Sequence, residues 1–298
     1  MEPSIDRIGN ILVVGAGAMG SQIGMVCSLA GYNVTVQDIS EEALARAWEQ
    51  LRARMHRNVG KGRIEREEVE AAFGRMSFTT DLAGAAAEAD FVIEAAVEKL
   101  DVKREIFARL DRTAPEHAVF ATNSSTIVSS RLAGSTGRPD RVCNMHFFNP
   151  ALVMKCVEVV RNPKTSDATV ETTVELARRI GKEPIVLDKE IPGFVANRIL
   201  GAIMDEAISL YENGVASVED IDAACRSALG HPMGPFELMD LTGIDVACYV
   251  RMDRYRESGD PDDRPSRSIV EKFERGELGR KSGRGWYAYD EQGQKVSR

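Results

Sequence analysis

The chain has 298 residues, of which 43% are hydrophobic and 28% charged, and its formal net charge is −8. This length suffices for one large or two ordinary globular domains, and the acidic balance argues against nucleic-acid binding, which needs surplus Lys and Arg. The five cysteines are scattered and include no CxxC pair, which favours a reducing cytoplasm over a disulfide framework or a metal site. No apolar segment is long enough to predict a membrane span, and the N-terminus lacks the pattern of a signal peptide.

The first 38 residues have the pattern of a βαβ unit. An apolar strand is predicted over 8–14, a helix over 21–30 and a second strand over 33–37. Two helices over 41–58 and 65–73 follow, and they predict a helical hairpin inserted at about 41–75.

The alternation of strands and helices continues to about residue 189. A further helix is predicted over 101–112, and further strands over 76–80, 91–95, 119–122, 142–148, 155–160 and 185–187. Such alternation is typical of a doubly wound, mostly parallel α/β sheet of the Rossmann type. We therefore predict a dinucleotide-binding domain over residues 1–189.

The pattern changes where Ile191-Pro192-Gly193 interrupts the chain. Only helices are predicted beyond this point, over 194–212, 218–229, 234–241, 245–257 and 266–275. The sequence thus predicts an all-helical C-terminal domain over 190–298.

A glycine-rich GxGxxG motif, Gly15–Gly20, joins the first strand to the first helix. In this context Gly15 permits a tight turn, Gly17 lets the backbone approach a pyrophosphate, and Gly20 lets helix and strand pack closely. The helix N-terminus, which includes Ala18 and Met19, offers N–H groups to phosphates.

Asp38 ends the second strand, 38 − 20 = 18 residues past the last glycine. A carboxylate there accepts hydrogen bonds from ribose hydroxyls and repels a 2′-phosphate, so NAD is favoured over NADP. The alternative is a glycine turn beside a surface Asp.

One histidine, His146, lies in an apolar strand, and Glu158 lies in the strand that follows. Strand alternation puts Glu158 on one face with Met154, Cys156 and Val160. A buried carboxylate needs a partner, and an imidazole held by it becomes a general base for an alcohol proton. The alternative is a structural histidine, with Glu158 paired to a surface Lys or Arg.

Ser124 and Ser125 follow the strand over 119–122, at the edge of the sheet where ligands bind. Their alternative role is to cap a helix. A Ser-His-Glu hydrolase triad is a further alternative, but the chain has no GxSxG motif.

A basic cluster lies over residues 52–66 and includes Lys61 and Arg63. In an acidic chain it predicts either a site for a phosphorylated substrate or a solvated helix face.

The chain resembles the short-chain L-3-hydroxyacyl-CoA dehydrogenases, most closely the bacterial 3-hydroxybutyryl-CoA dehydrogenases. The resemblance covers nearly the whole chain. It is carried by GAGAMGSQI (15–23), EAAVEKLDVKREIF (94–107), NSST (123–126), HFFNPALVMKCVEVV (146–160), IPGFVANR (191–198), GHPMGPFELMD (230–240) and GRKSGRGWYAY (279–289). The family commonly has Thr and Ser where this chain has Ser124 and Thr126, an exchange that leaves Ser125 in place.

The resemblance implies a role for individual residues. The general base is His146 and its orienting acid is Glu158, while Ser125 and Asn197 hydrogen-bond the substrate. The residues implied near the nicotinamide end of the cofactor are Glu98, Lys103 and Asn149, and Asn123 is implied to bind the cofactor as well. The basic segment that binds CoA in the family corresponds to Lys61 and Arg63.

The resemblance also implies oxidation of a (3S)-3-hydroxyacyl-CoA by NAD, without a metal, in a dimer formed through the helical domain. Two other functions stay open. One is a dehydrogenase of a free hydroxy acid or sugar acid, which would not need the basic cluster. The other is a non-catalytic NAD-binding sensor, which would not need His146, Glu158, Ser125 and Asn197 together.

Overall fold

A computed structural model describes residues 2–296, apart from the side chains of residues 253 and 257. Residues 1 and 297–298, at the outer ends of the two predicted domains, lie outside it. The first compact unit runs to Phe194 and the second begins at Val195, whereas the sequence predicted a division at 189/190. The difference has a physical reason, because Phe194 is buried with Val160 and Leu187 of the sheet.

The first unit is built on one sheet. Within the described residues its strands are β1 (Asn10–Val14), β2 (Asn33–Gln37), β3 (Met76–Thr79), β4 (Phe91–Glu94), β5 (Val119–Thr122), β6 (Val142–Phe147), β7 (Cys156–Arg161) and β8 (Glu183–Leu187). Their order is β3-β2-β1-β4-β5-β6-β7-β8. Neighbouring strands are parallel except β6 and β7, which are antiparallel. The predicted Rossmann-type sheet is confirmed.

Helices cover both faces of this sheet. They are α1 (Ala18–Leu29), α2 (Glu41–Gly60), α3 (Arg66–Gly74), α4 (Leu82–Ala87), α5 (Leu100–Thr113), α6 (Ser130–Ala133) and α7 (Asp167–Arg179). On β1, Ile11 and Val13 belong to the core shared with α1 and α7, while Leu12 and Val14 belong to the core shared with α4, α5 and α6. The strand is apolar throughout because both of its faces are buried.

The second unit consists of helices, as predicted, followed by an irregular segment. Its helices are α8 (Ala196–Glu212), α9 (Val218–Leu229), α10 (Pro235–Thr242), α11 (Ile244–Ser258) and α12 (Arg267–Glu274). The irregular segment is tied to the buried carboxylate of Asp240, which accepts hydrogen bonds from the backbone N–H groups of Trp286 and Tyr287 and from the hydroxyl of Tyr289, each at 2.9 Å.

Among the described helices of both units, none combines the length and the apolar character that crossing a bilayer requires.

Candidate active site

The glycine loop between β1 and α1 has the backbone that a dinucleotide site needs. Gly15 has a φ of 107°, and a Cβ there would lie 2.6 Å from the carbonyl oxygen of Ala95. A Cβ on Gly20 would overlap the carbonyl oxygen of Gly15. At Gly17, by contrast, a Cβ would meet no described atom within 4 Å. The loop is therefore tightly packed on its inner side and open at Gly17, where a ligand would approach.

Asp38 lies against this loop. Its Oδ2 accepts a hydrogen bond from the N–H of Ala16 at 2.8 Å, and its Oδ1 accepts one from the N–H of Ser40 at 3.1 Å. Two backbone donors thus hold the carboxylate beside the place where a dinucleotide would enter. A fixed carboxylate at this position suits a ribose with free hydroxyls and repels a 2′-phosphate.

The first turn of α1 completes a site that fits NAD. Its N-cap, Gly17, has no side chain to cap the helix, and Ala18 and Met19 are the first helical residues. The N–H groups of a first turn have no acceptor within the helix, so they are available to an anion. The residues predicted for the pyrophosphate and the ribose are therefore neighbours, joined by the hydrogen bond from Ala16 to Asp38.

His146 and Glu158 form a buried pair. They lie directly opposite each other in the antiparallel ladder of β6 and β7, and Nδ1 of His146 is 2.9 Å from Oε2 of Glu158. Glu158 is completely buried, and His146 is 5% exposed. Since a carboxylate can only accept, the neutral imidazole carries its proton on Nδ1 and leaves Nε2 unprotonated. The structure thus shows the predicted pairing, and a carboxylate at Nδ1 favours the tautomer that a general base requires.

Two aromatic rings hold the imidazole of His146. Its ring centroid lies 4.5 Å from that of Phe148 and 5.5 Å from that of Phe194. Phe194 is fully buried although its φ is 49°, a conformation that bulky residues rarely adopt. Among residues 2–296, no side chain or backbone group forms a hydrogen bond with Nε2. That nitrogen is therefore the one available to a substrate hydroxyl.

The loop after β5 carries Ser125 to the level of this pair. Thr122 pairs with Asn144 in the parallel ladder of β5 and β6, so the residues just beyond Thr122 lie level with His146. Ser124 is buried, and its hydroxyl accepts from the N–H of Ile127 at 2.8 Å. Ser125 is half-buried, and its hydroxyl forms no hydrogen bond with any described residue. Neither serine caps a helix, because the next helix, α6, has Ser129 as its N-cap.

Comparison with known proteins shows the family. The model described as "3-hydroxyacyl-CoA dehydrogenase, NAD binding domain" matches residues 10–191, and that of the family's C-terminal domain matches residues 193–289. The chain belongs to the 3-hydroxyacyl-CoA dehydrogenase family.

Individual family members are similar over nearly their whole length. A mitochondrial hydroxyacyl-coenzyme A dehydrogenase of Sus scrofa is 39% identical, with 95% of this chain and 91% of the relative covered. A 3-hydroxybutyryl-CoA dehydrogenase of Mycobacterium tuberculosis is also 39% identical, with 97% and 100% covered. The crystal structure of (S)-3-hydroxybutyryl-CoA dehydrogenase from Ralstonia eutropha matches with a TM-score of 0.87 and 38% identity, and covers 95% of this chain and 100% of that one.

One part of this family member's site was missed by the sequence analysis, namely Glu94. Glu94 is completely buried at the end of β4 and accepts from Nζ of Lys103 at 2.7 and 2.9 Å and from the hydroxyl of Thr122 at 2.7 Å. Lys103, which the resemblance places near the cofactor, is itself only 1% exposed. The local signal for Glu94 is a carboxylate at the end of an apolar strand, whereas nothing near Lys103 distinguishes it from the solvated charges of its helix.

Glu98 belongs to the same network. Its Oε2 lies 3.2 Å from Nζ of Lys103, and its Oε1 accepts from the hydroxyls of Ser124 and Thr126. Partial burial acts to raise the pKa of Glu98, but the charge of Lys103 and the two hydroxyl bonds outweigh it and lower the pKa below its usual value. Glu98 is therefore an ionised group fixed beside the loop that carries Ser125.

The two asparagines predicted near the cofactor lie at the carboxyl ends of neighbouring strands. Asn123 follows β5, and its Oδ1 accepts from the N–H of Phe147 at 2.9 Å. Asn149 lies just beyond β6 and is exposed. Asn197, predicted to contact the substrate, lies in the second unit, in the first turn of α8. The roles of these three residues stay predictions.

The basic cluster divides into two groups. Arg52 stacks over the ring of Trp48 at 5.6 Å, and Arg54 donates to Oε1 of Gln22 at 2.7 Å. Lys61, which follows the last residue of α2, and Arg63 are exposed. Within the described part of the chain these two residues form no ion pair. The arrangement leaves Lys61 and Arg63 free to contact a phosphate, as the resemblance implies.

Proposed function

We propose that this chain oxidises the 3-hydroxyl group of a (3S)-3-hydroxyacyl-CoA to a ketone, with NAD as the cofactor and a short acyl chain such as that of 3-hydroxybutyryl-CoA. The observation that carries the proposal is the buried His146–Glu158 pair, with its 2.9 Å contact and the open Nε2. Membership of the family supports the reaction, and the names of the Mycobacterium tuberculosis and Ralstonia eutropha relatives support the short chain.

In this mechanism His146 is the general base. Its Nε2 accepts the proton of the substrate hydroxyl, and the buried carboxylate of Glu158 stabilises the imidazolium that forms. NAD, when bound at the glycine loop, supplies the acceptor for the hydride from C3. In the reverse direction the same imidazolium returns its proton to the developing alkoxide, as microscopic reversibility requires.

Other residues of the chain bind and orient the substrate. Ser125 has an unengaged hydroxyl level with His146, and we assign it and Asn197 to hydrogen bonds with the hydroxyl and thioester carbonyl region of the substrate. Lys61 and Arg63 have exposed charges, and we assign them to the phosphates of CoA. Holding the reacting groups in a fixed geometry can supply a large part of the rate enhancement of an enzyme.

A direct assay tests the function. Purified protein should form NADH from NAD and (3S)-3-hydroxybutyryl-CoA, and a His146→Gln variant, which keeps an amide donor for Glu158, should lose nearly all of this activity while remaining folded. Free 3-hydroxybutyrate separates the alternatives. Comparable turnover of the free acid would favour a hydroxy-acid dehydrogenase, and absence of turnover with either compound in a folded, NAD-binding preparation would favour a sensor.

The proposed assembly is a homodimer formed through the second unit, in the cytoplasm. Support for the dimer comes from α11, where Val246, Tyr249 and Val250 are each about half exposed, at 48%, 54% and 49%. Exposed apolar side chains grouped on one helix are typical of an interface. Light scattering after size-exclusion chromatography should give twice the chain mass of 32.7 kDa, and a Tyr249→Asp substitution should shift the species toward the monomer. Five free thiols support the cytoplasmic location.

A further inference from the structure

A single carboxylate oxygen holds both neighbours of Ser125. The hydroxyl of Thr126 donates to Oε1 of Glu98 at 2.7 Å, and the hydroxyl of Ser124 donates to the same oxygen. Ser125 lies between these two residues, and its own hydroxyl has no partner in the described chain. The loop is therefore fixed on each side of the one hydroxyl that is left for a substrate.

The other carboxylate oxygen of Glu98 contacts the ammonium group of Lys103. Nζ of Lys103 lies 3.2 Å from Oε2 of Glu98 and 2.7 and 2.9 Å from the two oxygens of Glu94. Lys103 and Glu94 are 1% and 0% exposed, so this ion pair is not weakened by solvent. Through its contact with Lys103, this buried pair anchors the carboxylate of Glu98.

The same contacts use the hydrogen-bonding capacity of Lys103. A lysine ammonium has three donors, and four acceptor oxygens already surround Nζ: two on Glu94, one on Glu98, and the carbonyl of Ala96 at 3.4 Å. A ligand could take a hydrogen bond from Lys103 only by displacing one of them. Lys103 therefore has a structural role, which is to hold the carboxylates of Glu94 and Glu98 in place.

We propose that Glu98, anchored by the buried Lys103–Glu94 pair, is a positioning residue that holds the Ser125 hydroxyl in register with His146. This inference rests on the proposed role of Ser125 in binding the substrate. Glu98 then acts through the loop, by accepting from the hydroxyls of Ser124 and Thr126. A misplacement of a reacting group by about 1 Å costs on the order of 100-fold in rate, so loss of this support should be visible in turnover.

A double-mutant cycle with Glu98→Ala and Ser125→Ala tests the proposal. We expect Glu98→Ala to lower kcat/KM for 3-hydroxybutyryl-CoA roughly 10- to 100-fold, and to leave the Kd of NAD, measured by calorimetry, within about twofold. In the Ser125→Ala background, the further loss from Glu98→Ala should shrink to about twofold, since the supported hydroxyl is already gone. Glu98→Gln keeps an acceptor for the two hydroxyls and should have a smaller effect.

Asp101→Ala is the matched control, because Asp101 is an acidic residue of α5 whose side chain is 99% exposed, and it should leave kcat/KM unchanged. Thermal melting establishes that each variant is folded. The positioning role would be overturned if the double variant lost kcat/KM by the product of the two single losses. It would also be overturned if NAD binding weakened as much as kcat/KM fell. Normal kinetics of Ser125→Ala alone would instead overturn the proposed role of Ser125, which separates the two failures.

Discussion

Replacing Glu158 by Gln should slow turnover by about a thousandfold. The substitution keeps the shape of the side chain but removes the charge that faces Nδ1 of His146 at 2.9 Å. Unit charges about 4 Å apart at an effective dielectric constant of 20 attract each other by about 4 kcal/mol. Each 1.36 kcal/mol in the barrier is a factor of ten in rate, so loss of that stabilisation of the imidazolium corresponds to about three orders of magnitude.

A Gln side chain can also donate to Nδ1, which would put the ring proton on Nε2 and remove the base altogether. The assay is NADH formation from saturating 3-hydroxybutyryl-CoA and NAD, with the Kd of NAD measured separately and expected to be unchanged. Glu183→Gln is the control, because this carboxylate lies on β8 with its side chain 72% exposed. If Glu158→Gln kept kcat within about threefold of the parent protein, the conclusion that the charge of Glu158 stabilises the imidazolium of His146 would be wrong.

Three further predictions concern Asp38 beside the glycine loop, Lys61 and Arg63 of the basic cluster, and the pH dependence of stability. Asp38→Ala should raise the ratio of NADP to NAD efficiency, measured as kcat/KM, because the carboxylate held by Ala16 no longer repels a 2′-phosphate. Lys61→Glu combined with Arg63→Glu should raise KM for the CoA thioester at least tenfold with little change in kcat, and an unchanged KM would remove both residues from the substrate site. Since the pKa of Glu98 is lowered in the folded state, its stabilising contribution is complete above its ordinary value of 4.5 and is lost as pH falls through the lowered value. Urea unfolding between about pH 5 and pH 3 should therefore show a shallower pH dependence for Glu98→Gln than for the parent protein.

The positions of the main chemical groups follow from local sequence patterns. The glycine loop is recognisable because its spacing occurs between a predicted strand and a predicted helix, and β2 and β5 have the predicted bounds. The contact between His146 and Glu158 follows from one observation, that a carboxylate in an apolar strand needs a partner. Neither inference required knowledge of how distant parts of the chain pack.

The features that the sequence analysis missed depend on such packing. Helix α7 was not predicted because its buried face carries threonines, of which Thr169 and Thr173 satisfy their hydroxyls on backbone carbonyls. The buried Glu94–Lys103 pair was missed although Glu94 ends an apolar strand, because its partner Lys103 lies on a helix whose neighbouring charges are solvated. Helix α1 begins at Ala18 and not at residue 21, since the last part of the glycine motif is itself helical.

Because β6 and β7 are antiparallel, the contact between His146 and Glu158 depends on the length of the segment that connects these two strands. Parallel neighbours need a long crossover, whereas here an eight-residue connection over 148–155 joins the two strands and places the base and its acid directly opposite each other. A one-residue insertion that shifted this ladder would turn the side chain of Glu158 to the opposite face of the sheet, and a two-residue shift would carry it about 7 Å along the strand. Homologues that keep this reaction should therefore conserve the number of residues between the two strands.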